Sequence, residues 1–378
     1  VLNHVAEAVV VVDTSSRIWL MNRQAGLYFP YVKLDRHEEM FTLLVKRWQR
    51  APTRNFITHA ELGGDEGSFA TTVGVRKLID ILRTMPADQT VSLESQQEKL
   101  LLKGGKSRFT LQTLPAEDFP LVQEAPGFGP AFSVPQKTLK DLLGQVSFSM
   151  AVHDIRYYLN GILFETDGKR LSLVATDGHR LAFTSATLDV EVPRQQVILP
   201  RKTVIELERL LSDAAAPEGE QAPMIEMQFA ANQAKFSFGG MEFVTKLVEG
   251  KFPDYNRVIP QSPKNSVTLG RAVLLACLQR TAIMTSDKFK GVRLNLEPGT
   301  LRIASSNAEQ EEAVDELDID YGGDAIEIGF NVTYLMDVLS TLKQQEMITI
   351  GLQDANSSAL ITLPGDDNFK YVVMPMRI

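Results

Sequence analysis

The chain lacks most of the marks of secreted, metal-dependent or membrane proteins. One cysteine, Cys277, among 378 residues excludes an internal disulfide. The five histidines (His4, His37, His59, His153, His179) are scattered without ligand spacing, so no metal site is expected. No run approaches the ~18 apolar residues of a membrane span. With 44% apolar and 23% charged residues and a mean hydropathy of −0.07, the disordered and transmembrane classes fall away. The apolar opening Val1–Val12 has no basic leader or small-residue cleavage site and meets Asp13, so a cytoplasmic address is expected. Positive charge is short as well. A net charge of −8 argues against nucleic-acid binding by the whole surface and leaves room only for a local basic face.

Motifs of catalysis are equally scarce. In Gly104–Ser107 (GGKS) the first glycine of a P-loop would fall at Leu100, and Ser107 enters a strand-like run. Gly127-Phe128-Gly129 meets Phe132 where a dinucleotide fingerprint needs its third glycine. His37-Glu38-Glu39 lacks the second histidine of a zinc protease, and the acidic run Glu309–Leu317 lacks the turn glycine of a calcium loop. Asp177-Gly178-His179 reads either as a site or as a structural turn, with no nucleophile elbow beside it. No catalytic residue and no cofactor are expected.

What is present is a repeat. Segments beginning at Val73, Val134, Leu199, Leu269 and Phe330, spaced 61, 65, 70 and 61 residues apart, share one pattern. The sixth position is always apolar (Leu78, Leu139, Val204, Leu274, Leu335), and so is the ninth (Ile81, Leu142, Leu207, Cys277, Val338). That spacing predicts five short amphipathic helices, each lying on something flat. Short strand-like runs lie between them: Arg108–Leu114, Gly161–Thr166, Arg170–Val174, Ala234–Phe238, Val292–Leu296 and Thr300–Ile303. Turn signals at Asn160-Gly161, Asp167-Gly168, Asp177-Gly178 and Pro298-Gly299 punctuate them.

One helix covers only part of a sheet face, so two such units make a domain and the chain should hold three. The Pro-rich stretches Asp118–Ala131 and Glu249–Pro263 fall between pairs of repeats. The expected fold is α+β, with three similar domains at 1–128, 129–255 and 256–378. Residues 1 to about 57 do not fit: a repeat starting at Val12 would place Arg17 at an aliphatic position, and both tryptophans, Trp19 and Trp48, lie there.

Charge is segregated. The five segments carry ten basic and five acidic residues, and the rest of the chain 29 basic and 42 acidic. Either the helices have ordinary solvated faces, or Arg76, Lys77, Arg83, Lys137, Lys140, Arg201, Lys202 and Arg209 form one basic surface suited to a polyanion. The fifth segment has no base at all.

The stretches RYYLNGILFET (156–166), ATDGHRLA (175–182), PRKTVIEL (200–207), KFPDYNRVIP (251–260), DKFKGVRL (287–294), IGFNVTYLMDVL (328–339) and YVVMPMRI (371–378) resemble the bacterial sliding clamp, the beta subunit of DNA polymerase III. The resemblance runs from about Thr58 to the last residue. It implies a head-to-tail homodimeric ring whose helices line a hole for duplex DNA, with sheets outside. The implied partners are sequence-independent duplex DNA, the replicative polymerase, the clamp loader and other proteins carrying a clamp-binding motif. Arg156, Tyr157 and Tyr158 match a family loop that touches DNA; the tyrosines could also be core aromatics.

A partner-peptide cleft is implied at Leu159, Thr176, Gly178, His179, Arg180, Leu181, Pro253, Arg257, Val258, Tyr334 and Ser358, and along Val372, Val373, Met374, Pro375, Met376 and Arg377. Flexible methionines suit a groove that accepts varied peptides, although Met374 and Met376 also read as plain core. The family's usual terminal leucine is replaced by Ile378. Val1–Gly26 bears a faint likeness to the start of a PAS sensor domain and is too short to be one; residues 1–57 are a divergent or replaced half-domain, a fusion, or the product of a frame or start error. Two rivals to a clamp remain: a regulatory or sensor protein that recruits partners through clamp-derived domains without encircling DNA, and an enzyme using Asp177 and His179.

Overall fold

The structure is a computed structural model. It describes residues 71–86, 91–115, 125–214, 221–286, 288 and 290–378, together with the backbone of β1 (Val10–Val12), β2 (Ile18–Met21), β3 (Thr42–Arg47), β4 (Asn55–Glu61) and β5 (Ser68–Phe69). What residues 1–57 are, and the side chains of Trp19 and Trp48, lie outside the described residues.

Each repeat turns a strand directly into a helix. β6 (Thr72–Val73) leads into α1 (Val75–Thr84), β10 (Phe132–Pro135) into α2 (Gln136–Val146), and β12 (Arg180–Pro200) into α3 (Arg201–Leu210). Likewise β16 (Asn265–Gly270) leads into α4 (Arg271–Ala282) and β20 (Ile326–Asn331) into α5 (Val332–Thr341). The helix therefore begins at the third residue of every repeat. Junction residues keep extended backbone, with ψ of 103° at Gly74, 123° at Gly270 and 115° at Asn331. Asn331 also caps α5, its side-chain oxygen accepting from the Thr333 N–H at 2.9 Å. Every sixth-position residue is buried, and every ninth except the half-buried Ile81. Burial pushes the Cys277 thiol up to about 12, so this cysteine is core material rather than a nucleophile.

The chain forms two compact units. The first, Val1–Lys137 with Ile205–Lys246, holds two antiparallel four-stranded sheets. One is ordered β6-β9-β8-β7, with β7 at Val91–Gln96, β8 at Lys99–Gly104 and β9 at Ser107–Leu114. The other is ordered β10-β13-β14-β15, with β13 at Met224–Phe229, β14 at Gln233–Phe238 and β15 at Met241–Lys246.

The second unit, Thr138–Val204 with Leu247–Ile378, carries a six-stranded antiparallel sheet ordered β11-β12-β23-β22-β21-β16. Here β11 is Gly161–Thr176, β21 Met347–Leu352, β22 Ala359–Leu363 and β23 Asp366–Val373. A four-stranded sheet, β19-β18-β17-β20, completes it, with β17 at Gly291–Glu297, β18 at Thr300–Ser306 and β19 at Glu312–Asp318.

One sequence expectation fails here. Gly161–Thr166 and Arg170–Val174 are not separate strands with a turn at Asp167-Gly168 but a single β11. Gly168, at φ +59°, takes up a register shift within the ladder to β12 instead of reversing the chain. The reversal comes at Gly178, φ +91°, and the corresponding β17–β18 turn uses Gly299, φ +82°.

If the buried helix positions hold the repeat together, Leu139→Ala should lower the unfolding free energy by about 2–5 kcal/mol. The exposed Lys77→Ala should change it by less than about 0.5 kcal/mol. Chemical denaturation checks both, and equal losses would contradict the assignment.

Candidate functional site

The β11–β12 turn is built by its own side chains. The Asp177 carboxylate accepts from the His179 and Arg180 backbone N–H groups at 2.9 and 3.0 Å and from Arg180 Nε at 3.1 Å. The Thr176 hydroxyl donates to the Arg180 carbonyl at 2.6 Å and accepts from Gly178 N–H at 3.1 Å. A side chain at Gly178 would face both the left-handed backbone and the Arg156 guanidinium, 3.0 Å from where its Cβ would lie.

Against this turn runs the end of the chain. β12 and β23 pair through Arg180↔Val373, Leu181↔Val372, Ala182↔Tyr371 and Phe183↔Lys370. Beyond the ladder, Met374 N–H donates to the His179 carbonyl at 2.9 Å and Met376 N–H to the Gly329 carbonyl at 2.8 Å. The tail is thus held at both ends of its Met-Pro-Met segment.

Arg180 fixes the third side. Its guanidinium lies 4.5 Å from the Tyr334 ring centroid and 5.5 Å from that of Phe148. It donates to Asp337 at 2.5 Å and to the Phe148 carbonyl at 2.9 Å, besides its bond to Asp177. Burial alone would lower its pKa; the Asp337 bond and the charges of Asp177 and Asp337 outweigh that and raise it, so the cation persists. The His179 ring stacks near Tyr334, centroids 6.5 Å apart, and the Tyr371 hydroxyl donates to the Tyr334 carbonyl at 2.8 Å.

The residues expected in a cleft divide into floor and rim. Leu159, Thr176, Leu181, Val372 and Val373 are buried, with Leu159, Leu181 and Val372 in one cluster with Phe252, Tyr255 and Leu360. Gly178, His179, Pro253, Arg257, Val258, Met374 and Arg377 are exposed, and Arg180, Tyr334, Ser358, Pro375 and Met376 are half-buried. Val258 is 46% exposed and Met374 50%, large apolar groups left in solvent beside a packed floor. Neither Met374 nor Met376 is plain core.

Among the basic candidates, Arg76, Lys77, Arg83, Lys202 and Arg209 are exposed, and Lys137, Lys140 and Arg201 half-buried. Arg209 pairs with Glu206 at 3.2 Å. The tyrosine pair splits: Tyr157 is 57% exposed, whereas Tyr158 packs against the buried cluster. Arg156 is gripped by Asp154, which accepts from its Nη2 and backbone N–H at 2.8 Å each and from its Nε at 3.0 Å. Sequence reading missed Phe148, Asp337 and Asp177 as the supports of Arg180; Asp337 is the sole charged residue of the fifth repeat, but nothing in the sequence joins it to Arg180.

Strand-to-helix repeats on antiparallel sheets, with exposed basic residues on α1 and α3, are the architecture of a DNA clamp. The DNA polymerase III beta subunit family matches in chain order, its N-terminal domain at residues 55–123, its central domain at 133–254 and its C-terminal domain at 256–377. A Pseudomonas putida beta sliding clamp is 46% identical over 308 residues, 81% of this chain and 82% of that protein. A crystal structure of the DNA polymerase III subunit beta from Pseudomonas aeruginosa superposes with a TM-score of 0.80 at 41% identity, covering 90% of this chain and 93% of that one. A clamp from the same organism bound to griselimycin gives 0.76 at 40% identity, covering 92% and 94%. The chain belongs to the DNA polymerase III beta subunit family, the bacterial sliding clamps. That family is a non-catalytic processivity factor of the polymerase holoenzyme, so Asp177 and His179 are turn residues rather than catalytic groups.

Three bonds from Arg156 hold the Asp154 carboxyl at about 2, below the usual range. Their stabilisation of the loop is complete above the ordinary aspartate pKa of ~3.9 and is lost as pH falls through the folded value. An NMR titration of Asp154 should give a midpoint of about 2. Arg156→Gln should move it up toward ~3.9; a wild-type midpoint already there would break the assignment.

Proposed function

We propose that this chain works as a DNA sliding clamp, a cytoplasmic processivity factor that closes as a head-to-tail homodimer around duplex DNA. Its domains divide at 1–128, 129–255 and 256–378, with residues 1–57 an atypical half. A closed ring is retained by topology, so its DNA-facing surface needs only modest, sequence-independent attraction to phosphates. Net acidity is compatible with that role. Arg76, Lys77, Arg83, Lys137, Lys140, Arg201, Lys202 and Arg209 supply the attraction, and Arg156 with Tyr157 touches DNA from its loop. The open edge of β19, whose outward Val314 is 59% exposed, supports pairing with a second copy.

The replicative polymerase, the clamp loader and other motif-bearing proteins dock on the surface beside the β11–β12 turn. The observation that carries this is the packed apolar floor bordered by exposed Val258 and Met374. An apolar peptide anchor placed there would bury surface on both sides at once. The match of all three domain descriptions in order favours a clamp over a sensor that recruits partners off DNA.

Loaded protein should stay on nicked circular DNA and run off once the circle is cut, and free protein should sediment near twice 42.0 kDa. Equal retention on both DNA forms would overturn the ring. Deleting Met374–Ile378 removes one wall, and a peptide rich in Leu and Phe should lose at least ~2 kcal/mol of binding. Circular dichroism and DNA binding serve as controls; normal peptide affinity in a folded truncation would place the cleft elsewhere.

A further inference from the structure

A cavity lies on the same sheet face as Leu181 and Val372 of the proposed cleft. Leu181 pairs with Val372, and two residues along each strand Phe183 pairs with Lys370. Side chains two apart on a strand share a face, so the second pair lies ~7 Å from the first on that face. There a cavity of 330 Å³ opens, lined by Glu165, Arg170, Phe183, Tyr255, Arg194 and Lys370, among others.

Of its acids, Glu165 is committed and Asp167 is loosely paired and exposed. Glu165 accepts from the Tyr255 hydroxyl at 2.6 Å and from the Gln196 amide, and Asp167 faces Arg194 at 3.9 Å. Two of its cations are not committed. The Arg170 side chain donates only to the neutral Ser185 hydroxyl, at 3.0 Å, and the Lys370 ammonium has no hydrogen bond or ion pair among the described residues. Both converge on one ring, 5.6 and 5.8 Å from the Phe183 centroid. The ring face compensates them in part, but like charges over a common centre still repel, and a bound anion would remove that cost.

We propose that this cavity binds a small oxyanion, a phosphate or carboxylate group, between Arg170 and Lys370. Arg170 offers a planar fork that matches two oxygens, and Lys370 a point charge. The group is either a free anion or the acidic side chain of a peptide whose apolar anchors fill the neighbouring cleft. The second source rests on the cleft reading above; the first does not.

The test uses the full chain with inorganic phosphate as probe, against sodium chloride at matched ionic strength. Phosphate should shift the NMR signals of Ser172, Phe183 and Lys370 saturably, and Lys370→Gln should weaken it at least tenfold without changing the melting midpoint. A second arm compares an apolar peptide carrying a flanking Asp with its Asn counterpart. If phosphate fails to saturate but the Asp peptide binds more tightly to wild type and equally to Lys370→Gln, the oxyanion is a partner's side chain. No saturation by phosphate and no Asp preference would overturn the proposal, as would phosphate affinity unchanged in Lys370→Gln.

Discussion

Four cross-strand pairs between β12 and β23 hold the functional site together. They bring the Asp177–His179 turn beside the end of the chain, and without them the floor residues Leu181 and Val372 would have no common surface. Everything else at the site is fastened to that ladder. The tail continues it through Met374 to the His179 carbonyl, and the buried cluster under Leu159 packs against its inner face.

Arg180 secures the ladder from the side. A guanidinium this enclosed is stable only because Asp177, Asp337 and a carbonyl accept its protons and two aromatic rings cover its faces. Such an arrangement adds little net stability over an apolar one, but it is costly to break by halves, since removing one partner leaves a charge without its counterpart. The consequence is geometric: α5 and the turn are held in one arrangement while the Val258 and Met374 side chains stay exposed. Flexible methionine on a rigid floor suits a surface that accepts several peptides.

Much of this was legible in the sequence, and the limits were physical. The five helices announced themselves because apolar residues at the sixth and ninth positions must share a face of a 3.6-residue helix. Their starting residue did not, because it is set by the strand that feeds each helix, with a side-chain cap added only at Asn331 among the N-caps of α1, α4 and α5. Asp167-Gly168 misled for a related reason: alone it is a turn signal, but 21 residues of β12 offered β11 a partner and the pair became a bulge. Val-Val-Met-Pro-Met read by itself as core, and as a groove only through the family resemblance, because burial depends on the ladder ending after Val373. The role of Asp337 was invisible, since nothing local joins it to Arg180, 157 residues away.

Amide hydrogen exchange tests the dependence on the ladder most directly. The amides of Arg180–Phe183 and Lys370–Val373 should exchange only as slowly as the central β11–β12 pairs, opening with the whole unit rather than on their own. If those amides exchange at the rate of exposed loops while β11 and β12 stay protected elsewhere, the site is not held by the ladder, and the account given for its geometry is wrong.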